Sequence, residues 1–201
     1  MIHTDTELII KARDGDISAF EELVCRYDRK VLTIAAQFVH SAEDAKDIYQ
    51  EVLIRVFKGL PKFKFRSEFP TWLYRITTNV CLTHSTNRKK HNHHSIDPSD
   101  DGADGDEGHL RAIASDDLRP DERIIEAERA DRLQEALQRL SPNQRMVVTL
   151  KHYQGLKVRE IAEMMECTEG TVKKHLFIAM QRLRAVLEAD QRADYRADQK
   201  A

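Results

Sequence analysis

The sequence predicts an all-α protein in which two small helical domains are joined by a flexible acidic linker. Three observations carry that expectation. Only 7 glycines and 5 prolines interrupt 201 residues that are 41% hydrophobic and 33% charged, so long helices are favoured over turn-rich sheet. Apolar residues recur three and four positions apart on both sides of a central gap, which is the spacing of a buried helical stripe. The gap itself contains Asp97-Pro98-Ser99-Asp100-Asp101-Gly102-Ala103-Asp104-Gly105-Asp106-Glu107-Gly108, with too little apolar surface to offset the entropy of ordering it. The expected organisation is a first domain over 1–90, a linker over 91–120, a second domain over 121–189 and a polar tail over 190–201.

In chain order, Asp5 to Arg13 carries Leu8, Ile9 and Ala12 at helical spacing, and Ile17 to about Val39 carries Phe20, Leu23, Val24, Tyr27, Val31, Ile34, Ala35 and Phe38. Ser41 is placed to cap a helix running to about Gly59, with Ala45, Ile48, Val52, Leu53 and Phe57 inward. Its other face holds Glu43, Asp44, Asp47, Gln50, Glu51 and Arg55, which as a bare pattern reads as a solvated face with acids at the helix start. Lys62-Phe63-Lys64-Phe65-Arg66-Ser67-Glu68-Phe69-Pro70 has no helical period and reads as a loop, followed from Thr71 by a helix with Trp72, Leu73, Ile76, Val80 and Leu82.

Beyond the gap, Ser141, Pro142 and Gln144 supply a cap, an N1 proline and a capping-box partner, so a helix starts there. Gly155 supplies the left-handed residue that ends it. Val158 to Met165 is a short helix through Val158, Ile161, Ala162 and Met165, and a turn at Glu166 and Cys167 leads to Thr168, which caps a third. That third helix sets Val172, Leu176, Ala179, Met180, Leu183 and Leu187 on one stripe and opens its other face with Lys173, Lys174 and His175. This is the plan of a helix-turn-helix, whose second helix presents its N-terminal side chains to a major groove. A plain helical hairpin with a basic solvated face has the same pattern.

Charge is distributed unevenly along the chain. The net formal charge of -2 combines 15 basic and 12 acidic residues over 1–90, 2 and 8 over 91–120, and 15 and 14 over 121–201. Within the first domain, Lys58 to Lys90 holds eight basic residues and one acid, Glu68, beside three phenylalanines. Cations interleaved with aromatics suit single-stranded nucleic acid, because an aromatic face stacks on any base at ~1–3 kcal/mol while Lys and Arg neutralise phosphate. Phe69 and Trp72 read as core.

Several classes are disfavoured. No phosphate-binding glycine loop, nucleophile elbow, HExxH or spaced carboxylate pair is present, so no catalytic residues, cofactor or metal site are expected. No 18-residue apolar run or basic-then-apolar leader appears, which leads to the expectation of a cytoplasmic protein without membrane insertion. Cys25, Cys81 and Cys167 lack CxxC spacing and read as buried thiols. His91, His93 and His94 lack a matched carboxylate or thiol and read as incidental.

Taken together, Asp44-Ala45-Lys46-Asp47-Ile48-Tyr49-Gln50-Glu51-Val52, the segment Phe63 to Asn79 and the C-terminal helix-turn-helix resemble an extracytoplasmic-function sigma factor over nearly the whole chain. The resemblance implies a sigma-two and a sigma-four domain without an intervening third, and a non-catalytic subunit that directs RNA polymerase to promoters. It turns Asp44, Asp47, Gln50, Glu51 and Arg55 into the docking face for core polymerase. It makes Lys62, Lys64, Phe65, Arg66, Ser67, Trp72, Arg75, Asn79, Arg88, Lys89 and Lys90 the minus-ten module, which takes single-stranded DNA with a base flipped into the loop. It makes Thr168, Glu169, Thr171, Lys173, Lys174 and His175 the reader of duplex minus-thirty-five DNA, with Arg182 and Arg184 on phosphate or in salt bridges. Phe65 departs from the family pattern, standing where a glycine often follows the Phe-basic pair. An anti-sigma factor is an implied partner. The acidic linker reads either as a polyanionic occupant of the polymerase RNA channel or as a spacer. The competing functions are a DNA-binding regulator that uses only the second domain and a protein-binding adaptor that makes no DNA contact.

Overall fold

A computed structural model describes residues 3–39, 41–94 and 132–198, with the backbone alone described over 88–94 and 189–198. The acidic stretch of the expected linker lies outside the described residues. Every regular element among those described is helical: α1 Asp5–Arg13, α2 Ile17–Cys25, α3 Asp28–Ala36, α4 Ala42–Gly59, α5 Phe69–His94, α6 over 132–138, α7 Pro142–Val148, α8 Val158–Met164 and α9 Glu169–Asp198. Short 3₁₀ (Leu60–Lys62) and π (Thr149–Tyr153) turns extend α4 and α7. Thus α5 runs to His94, and the expected polar tail is helical to Asp198.

Local sequence explains the helix ends. Thr4 and Glu7 form a reciprocal capping box on α1, Asp16 accepts from Ala19 N–H on α2, and Ser41 accepts from Glu43 and Asp44 N–H on α4. Each such cap stabilises its helix by ~1 kcal/mol. The single helix expected over 17–39 is two. Tyr27 leaves helical geometry at φ -116°, ψ -4°, and the break brings its hydroxyl and the Arg26 guanidinium to Asp5 of α1. Helix α5 starts at Phe69, two residues before Thr71.

In the first unit α1 packs on α2, and α4 packs on α3 and α5. Leu8, Ile9, Leu23, Ile34, Ile48 and Leu73 are almost fully enclosed. Burying each stabilises the fold by ~1.5–3 kcal/mol. Gly59 lies where a Cβ would come within 3.0 Å of the Trp72 ring, so the end of α4 approaches α5 more closely than a side chain permits. In the second unit α7 and α8 both pack on α9, and α6 joins α9 through Ala136, Leu137, Leu140, Ala179 and Leu183.

Three side chains depart from their expected positions. Phe57 is exposed, because the buried stripe of α4 runs Val52, Val56, Leu60 and turns Phe57 outward onto Phe20 (5.2 Å between ring centroids). Met180 is exposed beside the buried Ala179. Cys25 is exposed at the end of α2, whose buried stripe is Ala19, Leu23 and Val24, while Cys81 is buried and Cys167 half-buried.

Candidate nucleic-acid and protein interfaces

The loop between α4 and α5 is built on an aromatic cluster. Phe63 is buried and stands within 5.0–6.2 Å of Phe65, Phe69 and Trp72, measured between ring centroids. Its carbonyl accepts from Arg13 at 3.5 Å, which ties the loop to α1. Phe69 is core, and Trp72 is half-buried against Gly59 and both rings, as the sequence suggested. Phe65 differs: its backbone is left-handed at φ +53° and its ring is 45% exposed. The residue that stands where relatives often carry glycine therefore adopts the conformation glycine favours. Around the ring, Lys62, Lys64, Arg66 and Ser67 are all exposed. The result is an outward aromatic face within a ring of cations.

From this loop α5 leads away with Arg75 and Asn79 one turn apart on an exposed face. Arg75 is ion-paired with Glu166 of the second unit. Arg88, Lys89 and Lys90 continue the helix, and their side chains lie outside the described residues.

The helix-turn-helix forms as its capping residues direct. Ser141 accepts from Gln144 N–H at 3.4 Å while the Gln144 side chain accepts from Ser141 N–H at 3.2 Å. Gly155 turns the chain at φ +70°, and Glu166 does so again at φ +52° between α8 and α9. Thr168 then accepts from Thr171 N–H at 3.2 Å, and the two hydroxyls meet at 2.9 Å. Thr171 is thereby engaged in the cap. Lys173 and Lys174 are exposed, Lys173 with its Nζ 3.8 Å from Glu169. His175 is half-buried, and its Nδ1 is enclosed without a hydrogen-bond partner, so it sits at the edge of the reading face. One turn beyond the lysines, Phe177 is 64% exposed, the most exposed large apolar side chain of α9. Sequence reasoning missed it because the inward stripe was sought and the outward aromatic was not.

On α4, Asp47, Gln50 and Arg55 are exposed and Asp44 and Glu51 half-buried, with Arg55 donating to Glu51 at 2.7 Å. Ile54 (47%) and Phe57 (56%) are exposed among them, three and four positions from Gln50, Glu51 and Lys58. An acidic rim around two apolar side chains is how protein interfaces are commonly built. No helix among the described residues is long and apolar enough to cross a membrane, and no cluster among them is arranged to hold a metal ion.

Comparison with known proteins places these surfaces in a family context. Residues 23–91 match the family model described as Sigma-70 region 2, and residues 130–183 match Sigma-70, region 4. The chain is 32% identical over 186 residues to the RNA polymerase sigma-H factor of Pseudomonas aeruginosa, covering 92% of this chain and 94% of that one. It is 31% identical over 177 residues to the ECF RNA polymerase sigma-E factor of Escherichia coli, covering 88% and 90%. The solved structure of the sigma factor RpoE in complex with the anti-sigma factor NepR from Bartonella quintana has a TM-score of 0.62 at 22% identity, covering 87% of this chain and 99% of that one, a likeness of fold.

Proposed function

This chain belongs to the extracytoplasmic-function sigma factors, non-catalytic subunits that direct RNA polymerase to promoters, and we propose how its residues divide that work. The sigma-two unit, 1–90, docks on core polymerase and opens the minus-ten element. The sigma-four unit, 121–189, reads the minus-thirty-five element, and the acidic segment 91–120 connects them. The observation that carries the proposal is the capped α9 N-terminus with Lys173 and Lys174 facing solvent, in the same chain as the exposed Phe65 loop. A duplex-only regulator has no use for the second feature.

On α4, Asp44, Asp47, Gln50, Glu51 and Arg55 orient the chain on core polymerase by charge, and Ile54 and Phe57 supply desolvated contact area. At the minus-ten element, Phe65 stacks on an unpaired base, Lys62, Lys64 and Arg66 hold the backbone, and Arg75 and Asn79 contact the strand along α5. Unstacking a base costs a few kcal/mol, which one aromatic stack and adjacent charge-assisted contacts offset. At the minus-thirty-five element, Lys173 and Lys174 donate to guanine O6 and N7 or to phosphate, Glu169 accepts from cytosine N4, and Phe177 meets a thymine methyl. An anti-sigma factor that covers both units would silence the protein, which acts on DNA in the cytoplasm.

In vitro transcription with core polymerase tests the reading. Wild-type chain directs initiation at discrete promoters, and Lys173→Glu/Lys174→Glu abolishes it while leaving core binding intact. Absence of promoter-specific initiation by the wild type would overturn the proposal.

A further inference from the structure

The two units pack directly against each other. Helix α5 packs on both α7 and α8, and one continuous core joins Leu73, Val80 and Cys81 of the first unit to Met146, Leu150, Ile161 and Met164 of the second. The C-terminal carbonyls of α3, left without helical partners by geometry, are satisfied from across the boundary. Gln134 donates to Ala36 O at 2.9 Å, Gln138 to Gln37 O at 3.2 Å, and Arg145 to Gln37 O at 3.3 Å, with the guanidinium 5.5 Å from the centre of the Phe38 ring.

Such packing is incompatible with simultaneous reading of two promoter elements. Sites named minus-ten and minus-thirty-five lie roughly 25 base pairs apart, or about 85 Å along B-DNA. Here Arg75 of the minus-ten helix touches Glu166, three residues before the recognition helix. The readers are side by side, and Arg75 is held by a carboxylate where DNA would offer phosphate.

Resting on the functional reading above, we propose that this interface is an autoinhibitory latch, a closed state that separates when the chain engages core polymerase. The polar groups within the interface fit a surface made to part. Gln37 Oε1, beside the bridged carbonyls, and Thr149 Oγ1, in the π turn that packs on α3, are buried without partners. The Thr78 hydroxyl, fully buried, meets only the Met146 sulfur at 3.6 Å, a weak acceptor. A permanent core excludes such groups because unsatisfied burial is costly, whereas opening returns each of them to water. The Arg75–Glu166 pair is exposed and adds little to closure, so its role is to occupy Arg75.

The test is a distance measurement on the full chain. Lys30→Cys/Glu188→Cys, in a Cys25→Ser/Cys167→Ser background, carries a pair of spin labels, one on each unit. The free chain gives one short separation, and binding to core polymerase lengthens it by tens of ångströms. Gln134→Ala/Gln138→Ala, which removes only contacts to the α3 carbonyls, raises the open fraction of free chain at least tenfold. A free chain that is already broadly distributed, a separation unchanged in an initiation-competent holoenzyme, or no response to the double alanine variant overturns the latch. Failure of initiation itself would instead refute the functional assignment, so the two outcomes are distinct.

Discussion

Replacing Phe65 with glycine should separate stability from function. A bulky residue in the left-handed region costs ~1–2 kcal/mol, and at φ +53° Phe65 bears that cost. Glycine removes it but adds ~0.5–1 kcal/mol of chain entropy to folding. It also loses the tilted ring contact with Phe63 at 5.1 Å, worth ~0.5–1.5 kcal/mol. These terms nearly cancel, so Phe65→Gly should change unfolding free energy by less than about 1.5 kcal/mol and shift Tm by no more than about 6 °C. If the 45% exposed ring stacks on a flipped base, its loss removes ~1–3 kcal/mol of binding, a weakening of about 5- to 150-fold. The assays are urea unfolding followed by circular dichroism, and affinity of reconstituted holoenzyme for a nontemplate single strand taken from a promoter it initiates on. Phe65→Trp should restore affinity. An unfolding loss above 3 kcal/mol would make the ring a core element, and affinity within twofold of wild type would remove it from base recognition.

Three further outcomes are expected. Arg145→Met should destabilise the fold by ~3 kcal/mol in urea unfolding, because the guanidinium is 6% exposed and donates to Leu137, Gln138, Leu140 and Gln37 carbonyls that methionine leaves unpaired; a loss below 1 kcal/mol would mean water replaces it. Ile54→Asp and Phe57→Asp should leave Tm within a few degrees, since both side chains are already exposed, and weaken core polymerase binding at least tenfold in a fluorescence titration. Iodoacetamide should modify Cys25 in the native chain and spare Cys81, with mass spectrometry as the readout. Burial pushes the Cys81 thiol up to about 12, so the folded chain keeps a proton that the unfolded chain releases near pH 9. Its contribution to stability is complete below pH 9 and falls as pH rises toward 12, and Cys81→Ala should show a shallower alkaline loss in urea midpoints.

What the sequence disclosed follows from the range of each interaction. Caps act over three residues, so Ser41, Ser141 and Thr168 announced their helices, and Gly155 its turn. Periodicity fixes a face only to about one side chain. Phe57 and Met180 each sit next to a buried neighbour, Val56 and Ala179, and both were assigned inward although they point out. The break at Tyr27 was hidden for another reason: the groups that stabilise it, Asp5 with Arg26 and Tyr27, are more than twenty positions apart in sequence.

The contact between units was illegible on the same principle, and it bears most on mechanism. No helical pattern marks Gln134 and Gln138 as donors to a helix end about a hundred residues away, because either glutamine suits a solvated face equally well. Arg145 is more telling. Burial lowers its pKa to about 10, and no carboxylate faces it among its described partners, so its charge is held by the carbonyl ends of two helices, α3 and α6. Three of those four carbonyls belong to its own unit, and one to the other. Separation of the units therefore leaves Arg145 mostly satisfied and keeps sigma-four folded, whereas removal of Arg145 damages sigma-four itself. That asymmetry is what lets one interface be stable when closed and harmless when open, and it predicts that Gln134 and Gln138 variants alter opening without the loss of stability that Arg145→Met incurs.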